Sequence, residues 1–300
     1  MRTARSYVWL SIIAAILTIF LKAIAYHITR SVGLLSDALE SIVNLVAALV
    51  AFWALSYAAK PPNSLHPFGH SKAEYFSSGI ESVLIVIAAL SIGITAWDRL
   101  WHPQPLEQVD LGLALSMVAA AINGIVAWIL LKASRRLRSI TLKADAHHLL
   151  TDVWTSGGVL LGILLIKLTG WLILDPLIAI LVALNITWTG IQLLRQTASE
   201  LLDQSLPSED QRTIQEILQK YDQKKIQFHA LRTRLAGNRR FITFHLLVPG
   251  EWSVKQGHDI CEEIELAMID ALPGSVITSH LEPIEDPVSW EDQELDRPRF

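Results

Sequence analysis

Six stretches of ~20 or more mainly apolar residues occupy 8–26, 33–57, 76–97, 111–131, 146–168 and 172–194, each long enough to cross a bilayer as a helix. A soluble domain has no way to bury six such segments. A 300-residue chain with 51% hydrophobic and only 18% charged residues is also too apolar and too poor in charge for that class. The expected architecture is an α-helical membrane protein, integral, multi-pass and in contact with lipid.

An even number of spans puts both termini on one side. That side carries Arg2, Arg5, Lys60, Lys72, Lys132, Arg135, Arg136, Arg138 and Lys143, whereas the opposite loops hold Arg30, Arg99 and Lys167. Cationic loops stay in the cytoplasm, so both termini are expected there, in a cell (inner) membrane. Arg2 and Arg5 ahead of a first apolar run also fit a cleavable signal, with Ala23-Ile24-Ala25 as a permissible cleavage pattern. Their placement on the cytoplasmic side favours a retained first span. A net charge of -4 and the lack of a basic stripe interleaved with aromatics argue against a nucleic-acid partner. A single cysteine, Cys261, excludes an intrachain disulfide and a cysteine-based zinc knuckle.

Beyond Leu206-Pro207 the pattern changes. An amphipathic run at 209–221 precedes two alternating runs, 226–235 and 240–248, joined by the turn residues Gly237-Asn238. Ser253 then suits the N-cap of a helix ending near Ala271 before Pro273-Gly274, and 276–281 alternates once more. The order αββαβ predicts a small α+β domain with two helices on one sheet face. The expected domains are 1–206 as six transmembrane helices, 207–286 as the α+β domain and 287–300 as a polar, disordered tail.

Charged side chains inside a span are costly and mark an ion or substrate path. The second span carries Asp37, Glu40 and Asn44, and the fifth carries Asp145, His148 and Asp152, both at offsets of three and four. Those offsets place each trio on one helix face. The strings around 36–44 and 144–152 form a weak internal repeat. Glu40, Asn44, His148 and Asp152 would together offer two carboxylates, an imidazole and an amide oxygen, a donor set suited to a tetrahedral divalent metal. The competing reading is that these groups only join helices by hydrogen bonds. Asp37 and Asp145 fit capping or a vestibule better than ligation, while Glu81 and Lys22, without an assigned partner, fit a structural role.

Six spans, a fifth-span His148-x3-Asp152, an acid four residues before a second polar group in the second span, and His66-Pro-Phe-Gly-His70-Ser-Lys-Ala-Glu74 in a cytoplasmic loop together resemble the cation diffusion facilitator family. The resemblance covers about 8–285 and includes the αββαβ region, which in that family is a cytoplasmic, metallochaperone-like dimerisation domain. It implies a homodimeric efflux transporter that exchanges cytoplasmic zinc, or a related divalent cation, for protons. It maps the transport site onto Glu40, Asn44, His148 and Asp152. This sequence departs from the family where an Asp or His followed by Asp is usual, since Glu40 is longer and Asn44 is neutral. Zn2+ is the expected ion, with Fe2+, Mn2+, Co2+ and Cd2+ as alternatives, and a more oxygen-rich site favours iron, manganese or cobalt among them.

The resemblance implies further sites. His66 and His70 fall in a loop metal site whose usual preceding Asp is Asn63 here, and the alternative is a loop that orients two helices. Lys72 and Asp203 match an interfacial charge pair, against a reading as solvated charges. His229, His245, His258, His280 and Glu282 match cytoplasmic metal positions, and His280 and Glu282, two apart on a strand, face the same way. Metal there would regulate transport. No His-Glu-x-x-His motif or separate general base points to a hydrolase, so an enzyme is not expected. The rival functions are a membrane metal sensor without transport and an organic-solute transporter.

Overall fold

The computed structural model describes residues 4–29, 32–102, 110–169, 171, 173–221, 226–291 and 293–294. It divides into two compact units, Met1–Ala198 and Ser199–Phe300.

All six apolar stretches are helical: α1 (Ala4–Thr29), α2 (Val32–Ala58), α3 (Ala73–Trp101), α4 (Asp110–Leu137), α5 (Ile140–Thr169) and α6 (Leu174–Leu201). Among the described residues four segments, Ala4–Ile24, Ala73–Trp101, Met117–Leu137 and Pro176–Leu201, are long and apolar enough to cross a membrane. Helix α5 is 30 residues long, more than a span needs, and carries Asp145, His148 and Asp152 in its first half. These three side chains are nonetheless buried. Helix α5 can carry them because other helices, not lipid, surround that part of it.

Two packed clusters share α5. On one side Leu142, Ala146 and Leu149 meet Val8 and Ile12 of α1, Ala48, Ala51 and Leu55 of α2, and Ala127 and Leu130 of α4. On the other, Ile140 and Ala144 meet Tyr75, Ile85 and Ala89 of α3 and Ile186 and Leu193 of α6. Alanines recur because small side chains let helices approach closely when water supplies no driving force. At Gly190 of α6 an added Cβ would lie 2.8 Å from Val86 Cγ2, so glycine is required where α6 crosses α3. Ser78 of α3 and Thr197 of α6 add a buried hydrogen bond, 3.0 Å between hydroxyls. Large apolar residues such as Trp9, Phe20, Trp53, Trp97 and Trp188 remain exposed, as expected of a surface that faces lipid.

The second unit follows the order read from the sequence: α7 (Ser208–Gln219), β1 (Gln227–Ala236), β2 (Arg239–Val248), α8 (Val254–Ala271) and β3 (Ser275–Pro283). Strands β1 and β2 form an antiparallel hairpin, and β3 joins β2 in parallel. The parallel pairing needs a crossover, which α8 supplies. Gly237, at φ 59, turns the hairpin. Ser253 caps α8 in a reciprocal capping box with Gln256. Ile242, Phe244, Leu246 and Val248 alternate into a core with Ile214, Ile217 and Leu218 of α7 and Ile260, Ile264 and Met268 of α8. Both helices thus cover one sheet face. The pairing register shifts between His229 and Arg232, and Ala230 there has φ 50. This bulge keeps Phe228 and Leu235 packed on the core while His229 turns to the opposite face.

The expectation of a polar, disordered tail does not hold at its start. Pro287–Trp290 form a 3-10 turn, capped by the Asp286 side chain, which accepts from Val288 N–H. Trp290 Nε1 donates to Ile284 O at 3.1 Å, and its ring meets His229 edge-on at a centroid distance of 5.8 Å. With the Ser289 hydroxyl, which donates to Pro283 O at 2.9 Å, these contacts fold the segment back. Residues 295–300 lie outside the described residues.

Candidate metal sites

Within the first unit, α5 places His148 and Asp152 one helical turn apart, both buried. Among the described residues neither ring nitrogen of His148 has a hydrogen-bond partner. Buried imidazole nitrogens left in this state are rare and call for an explanation such as an ion or a proton. Asp152 Oδ2 accepts from Asn123 Nδ2 of α4 at 2.9 Å and lies 3.8 Å from Lys22 Nζ of α1. A neutral donor thus orients the carboxylate without consuming its charge. Glu40 and Asn44 are on α2, but their side chains, like that of Asp37, lie outside the described residues.

Other polar groups extend along the same helices. Ser11 of α1 donates to Asp145 Oδ1 at 2.9 Å, and Ser77 donates to Glu81 Oε1 at 2.8 Å, with both acids buried. Asp145 therefore has a partner on another helix and is more than a helix cap. Sequence reasoning passed over Asn123 and left Lys22 unpartnered. The available signal was an amide in the fourth span and an ammonium in the first, each costly inside a bilayer.

The loop after α2 brings His66 and His70 together without a helix. Gly69, at φ 88, and the 3.0 Å bond from Gly69 N–H to His66 O make a turn. The two ring centroids stand 4.6 Å apart. His70 is buried against Tyr57, whereas His66 is exposed. Asn63 Oδ1 accepts from the backbone N–H of Leu65 and His66, at 3.0 and 2.8 Å, so its side chain builds the loop. Lys72 precedes α3 in the first unit. Asp203 belongs to the second, where it accepts from Arg234 Nη1 at 3.1 Å.

In the second unit His229, His245 and His280 pair in register across all three strands, on the face opposite the helices. Glu282 follows on the same face of β3. His229 Nε2, His245 Nδ1 and Glu282 Oε2 form a triangle with edges of 3.2, 3.1 and 3.3 Å. Ligands bound at zinc-like distances at the corners of a tetrahedron are about 3.3 Å apart, so the donor atoms already have the spacing a metal demands. Among the described residues this is the one group of three or more His, Cys, Asp or Glu side chains with that convergence. His280 is more peripheral, with Nδ1 3.6 Å from Glu282 Oε1 and the side chain 64% exposed. His258 does not join, because it is exposed on α8, the helix covering the other face.

Comparison with known proteins matches these two units to two domains. Residues 8–202 match the cation efflux transmembrane domain, and residues 206–284 match the cation efflux protein cytoplasmic domain. An uncharacterized transporter of a Synechocystis species is 58% identical, covering 97% of this chain and 94% of that protein. The cation-efflux pump FieF of Yersinia pestis is 30% identical, covering 90% of this chain and 89% of the relative. A solved structure of CzrB in its Zn form is 39% identical over 28% of this chain and 96% of that one, with a TM-score of 0.26. With its helical unit and its small α+β unit each matched, the chain belongs to the cation efflux, or cation diffusion facilitator, family of membrane transporters.

Proposed function

We propose that this protein exports a divalent transition-metal cation from the cytoplasm in exchange for protons, with Zn2+ as the first candidate and Fe2+, Mn2+, Co2+ and Cd2+ as alternatives. The observation that carries the reading is the buried α5 pair. Among the described residues His148 keeps both ring nitrogens without hydrogen bonds beside Asp152, which Asn123 orients. Glu40 and Asn44 of α2 complete the proposed ligand set, so that α2 and α5 hold the ion between them.

Exchange follows from ligand chemistry. Metal binds neutral imidazole and ionised carboxylate, so its arrival releases protons and their return expels it. His148 is the group that trades a proton for metal, joined by Glu40, and Asn44 contributes an oxygen that does not titrate. Alternating access then requires the ligand set to face the cytoplasm in one state and the far side in the other.

We assign the protein to the cell membrane as a homodimer with both termini cytoplasmic, on the charge bias of the loops and the match of 206–284 to the family's cytoplasmic domain. The His229–His245–Glu282 triangle is the proposed regulatory site, where cytoplasmic metal would favour one arrangement of the two tails. His280 lies beside it as a further donor.

The test is metal uptake into proteoliposomes under an imposed pH gradient. Wild type and Asp152→Ala are compared across zinc, iron, manganese, cobalt and cadmium. Flux of one or a few ions that collapses in the variant supports the reading. Well-folded wild-type protein without flux would sink it and favour a sensor.

A further inference from the structure

Lys22 of α1 is 2% exposed, and the site reading above gives it no role. Its position is unusual. An ammonium in a membrane helix ordinarily extends its flexible stem to reach water at an interface. Here it stays within the helix bundle, with Nζ 3.8 Å from Asp152 Oδ2 and side-chain exposures of 3% and 4% for the two residues. Asn123 already donates to that same oxygen at 2.9 Å. The carboxylate thus receives a neutral donor at hydrogen-bond distance and a full positive charge just beyond it.

The longer of the two distances matters. Charge-assisted N–H···O bonds close to about 2.7–2.9 Å, so 3.8 Å marks an electrostatic contact without a tight bond. Such a contact compensates the buried carboxylate by charge, a role that another cation at the same carboxylate can take over. Between oppositely charged groups in a low-dielectric bundle the attraction is strong, and a second cation at the same carboxylate is repelled just as strongly.

We propose that Lys22 is a tethered counter-cation of the transport site, which neutralises Asp152 when no metal is bound and is displaced by the arriving divalent ion. The proposal rests on Asp152 being a transport ligand. It makes Lys22 a specificity-determining residue. A monovalent ion brings no more charge than the ammonium it must replace, and it also loses translational freedom that the tethered group has already given up. A divalent ion brings twice the charge and wins the exchange. The repulsion that remains after binding weakens the site's hold, and a transport site must release its ion as well as capture it. The attraction Asn123 provides is unaffected by this exchange, so the carboxylate stays oriented throughout.

The experiment measures Zn2+ binding to the full-length protein in detergent by calorimetry, with Zn2+ uptake in proteoliposomes alongside. All proteins carry His229→Ala and His245→Ala, which remove the tail cluster so that the heat reports the membrane unit. Lys22→Met keeps the length of the side chain without its charge, and Lys22→Arg keeps the charge. The expected result is Zn2+ affinity tighter by about tenfold or more in Lys22→Met, with slower maximal uptake, because the competing cation is gone. Lys22→Arg should hold the parent affinity within about threefold. Equal Zn2+ affinity in the parent and Lys22→Met would overturn the proposal, whatever happened to the maximal rate, since a purely structural lysine predicts that result. If Lys22→Met does not fold, thermal melting of Lys22→Met/Asp152→Asn decides. Recovery of the parent melting temperature supports mutual compensation, and a double variant as unstable as Lys22→Met alone refutes it. Absence of Zn2+ flux in the protein with His229 and His245 intact would count against the transport reading, while the Lys22→Met affinity and the melting cycle would still judge the counter-cation.

Discussion

His229 on β1 and Glu282 on β3 meet at 3.1 Å (Nε2···Oε2), although β2 lies between their strands. The contact is closed over His245, which sits on that middle strand and faces both. Two imidazoles and a carboxylate gathered this closely invite a cation. Zn2+ should therefore raise the melting temperature of the second unit within the intact protein. At about 100 times the dissociation constant the gain is about 2.7 kcal/mol. His245→Ala should abolish the shift, and Glu282→Gln should reduce it. A zinc-dependent shift of wild-type size in His245→Ala would place the metal elsewhere.

Trp290 packs its ring against His229 at an interplanar angle of 84° and is anchored by its indole N–H to Ile284 O. Arg232 Nη2 also donates to Gln293 O at 3.1 Å, a further contact that holds the segment after β3. Edge-to-face pairs contribute about 0.5–1.5 kcal/mol beyond burial. Trp290→Ala should therefore destabilise the second unit by at least that much in denaturant melts. It should also increase protease cleavage after Pro287. An unchanged cleavage pattern would show that the turn does not depend on the ring.

Asp210 of α7 and Arg240 of β2 form a buried pair, Nε to Oδ2 at 2.8 Å, and Arg240 Nη1 also donates to Pro273 O at 2.8 Å. Breaking such a pair leaves an uncompensated charge and costs about 3–5 kcal/mol. Asp210→Ala should lower the stability of the second unit by this amount, whereas Asp210→Ala/Arg240→Met should recover part of the loss. The comparison is a chemical denaturation series on the four proteins of the cycle. A double variant as unstable as the sum of the singles would show that the two charges act independently.

Local chemistry made much of this fold legible. Gly237-Asn238 marked the hairpin turn, Ser253 and Gln256 the start of α8, and Pro273-Gly274 its end, because each acts on the backbone within a few residues. The offsets of Asp145, His148 and Asp152 made the polar face of α5 visible in the same way. What the sequence withheld depends on distant partners. Lys22 and Asn123 gain meaning only when α1 and α4 bring them to Asp152. The bulge after His229 cannot be read from Ala230, a residue with no preference for positive φ. Nor could alternation alone show that α8 covers the sheet face opposite the histidine row, which separates His258 from its expected companions.

Cys261 lies in α8, 8% exposed in the core of the second unit. Desolvation pushes its thiol pKa up, and the nearby charges of Glu265 and Glu262 add to that, against a lowering hydrogen bond with Ser279. A raised pKa means that the folded protein holds the thiol proton more tightly than the unfolded chain does. Its contribution to stability is then fully present below the unfolded thiol pKa, about 8.5, and is lost as pH rises through the folded value. The same shift leaves less thiolate, the reactive form, at any given pH near 8. Iodoacetamide at pH 8 should therefore label Cys261 slowly in the folded protein and rapidly in denaturant, as followed by mass spectrometry. Raising the pH should speed labelling while the second unit loses stability. Equal labelling rates in folded and denatured protein at pH 8 would show that α8 opens faster than the reagent reacts, and that its core is not closed around the thiol.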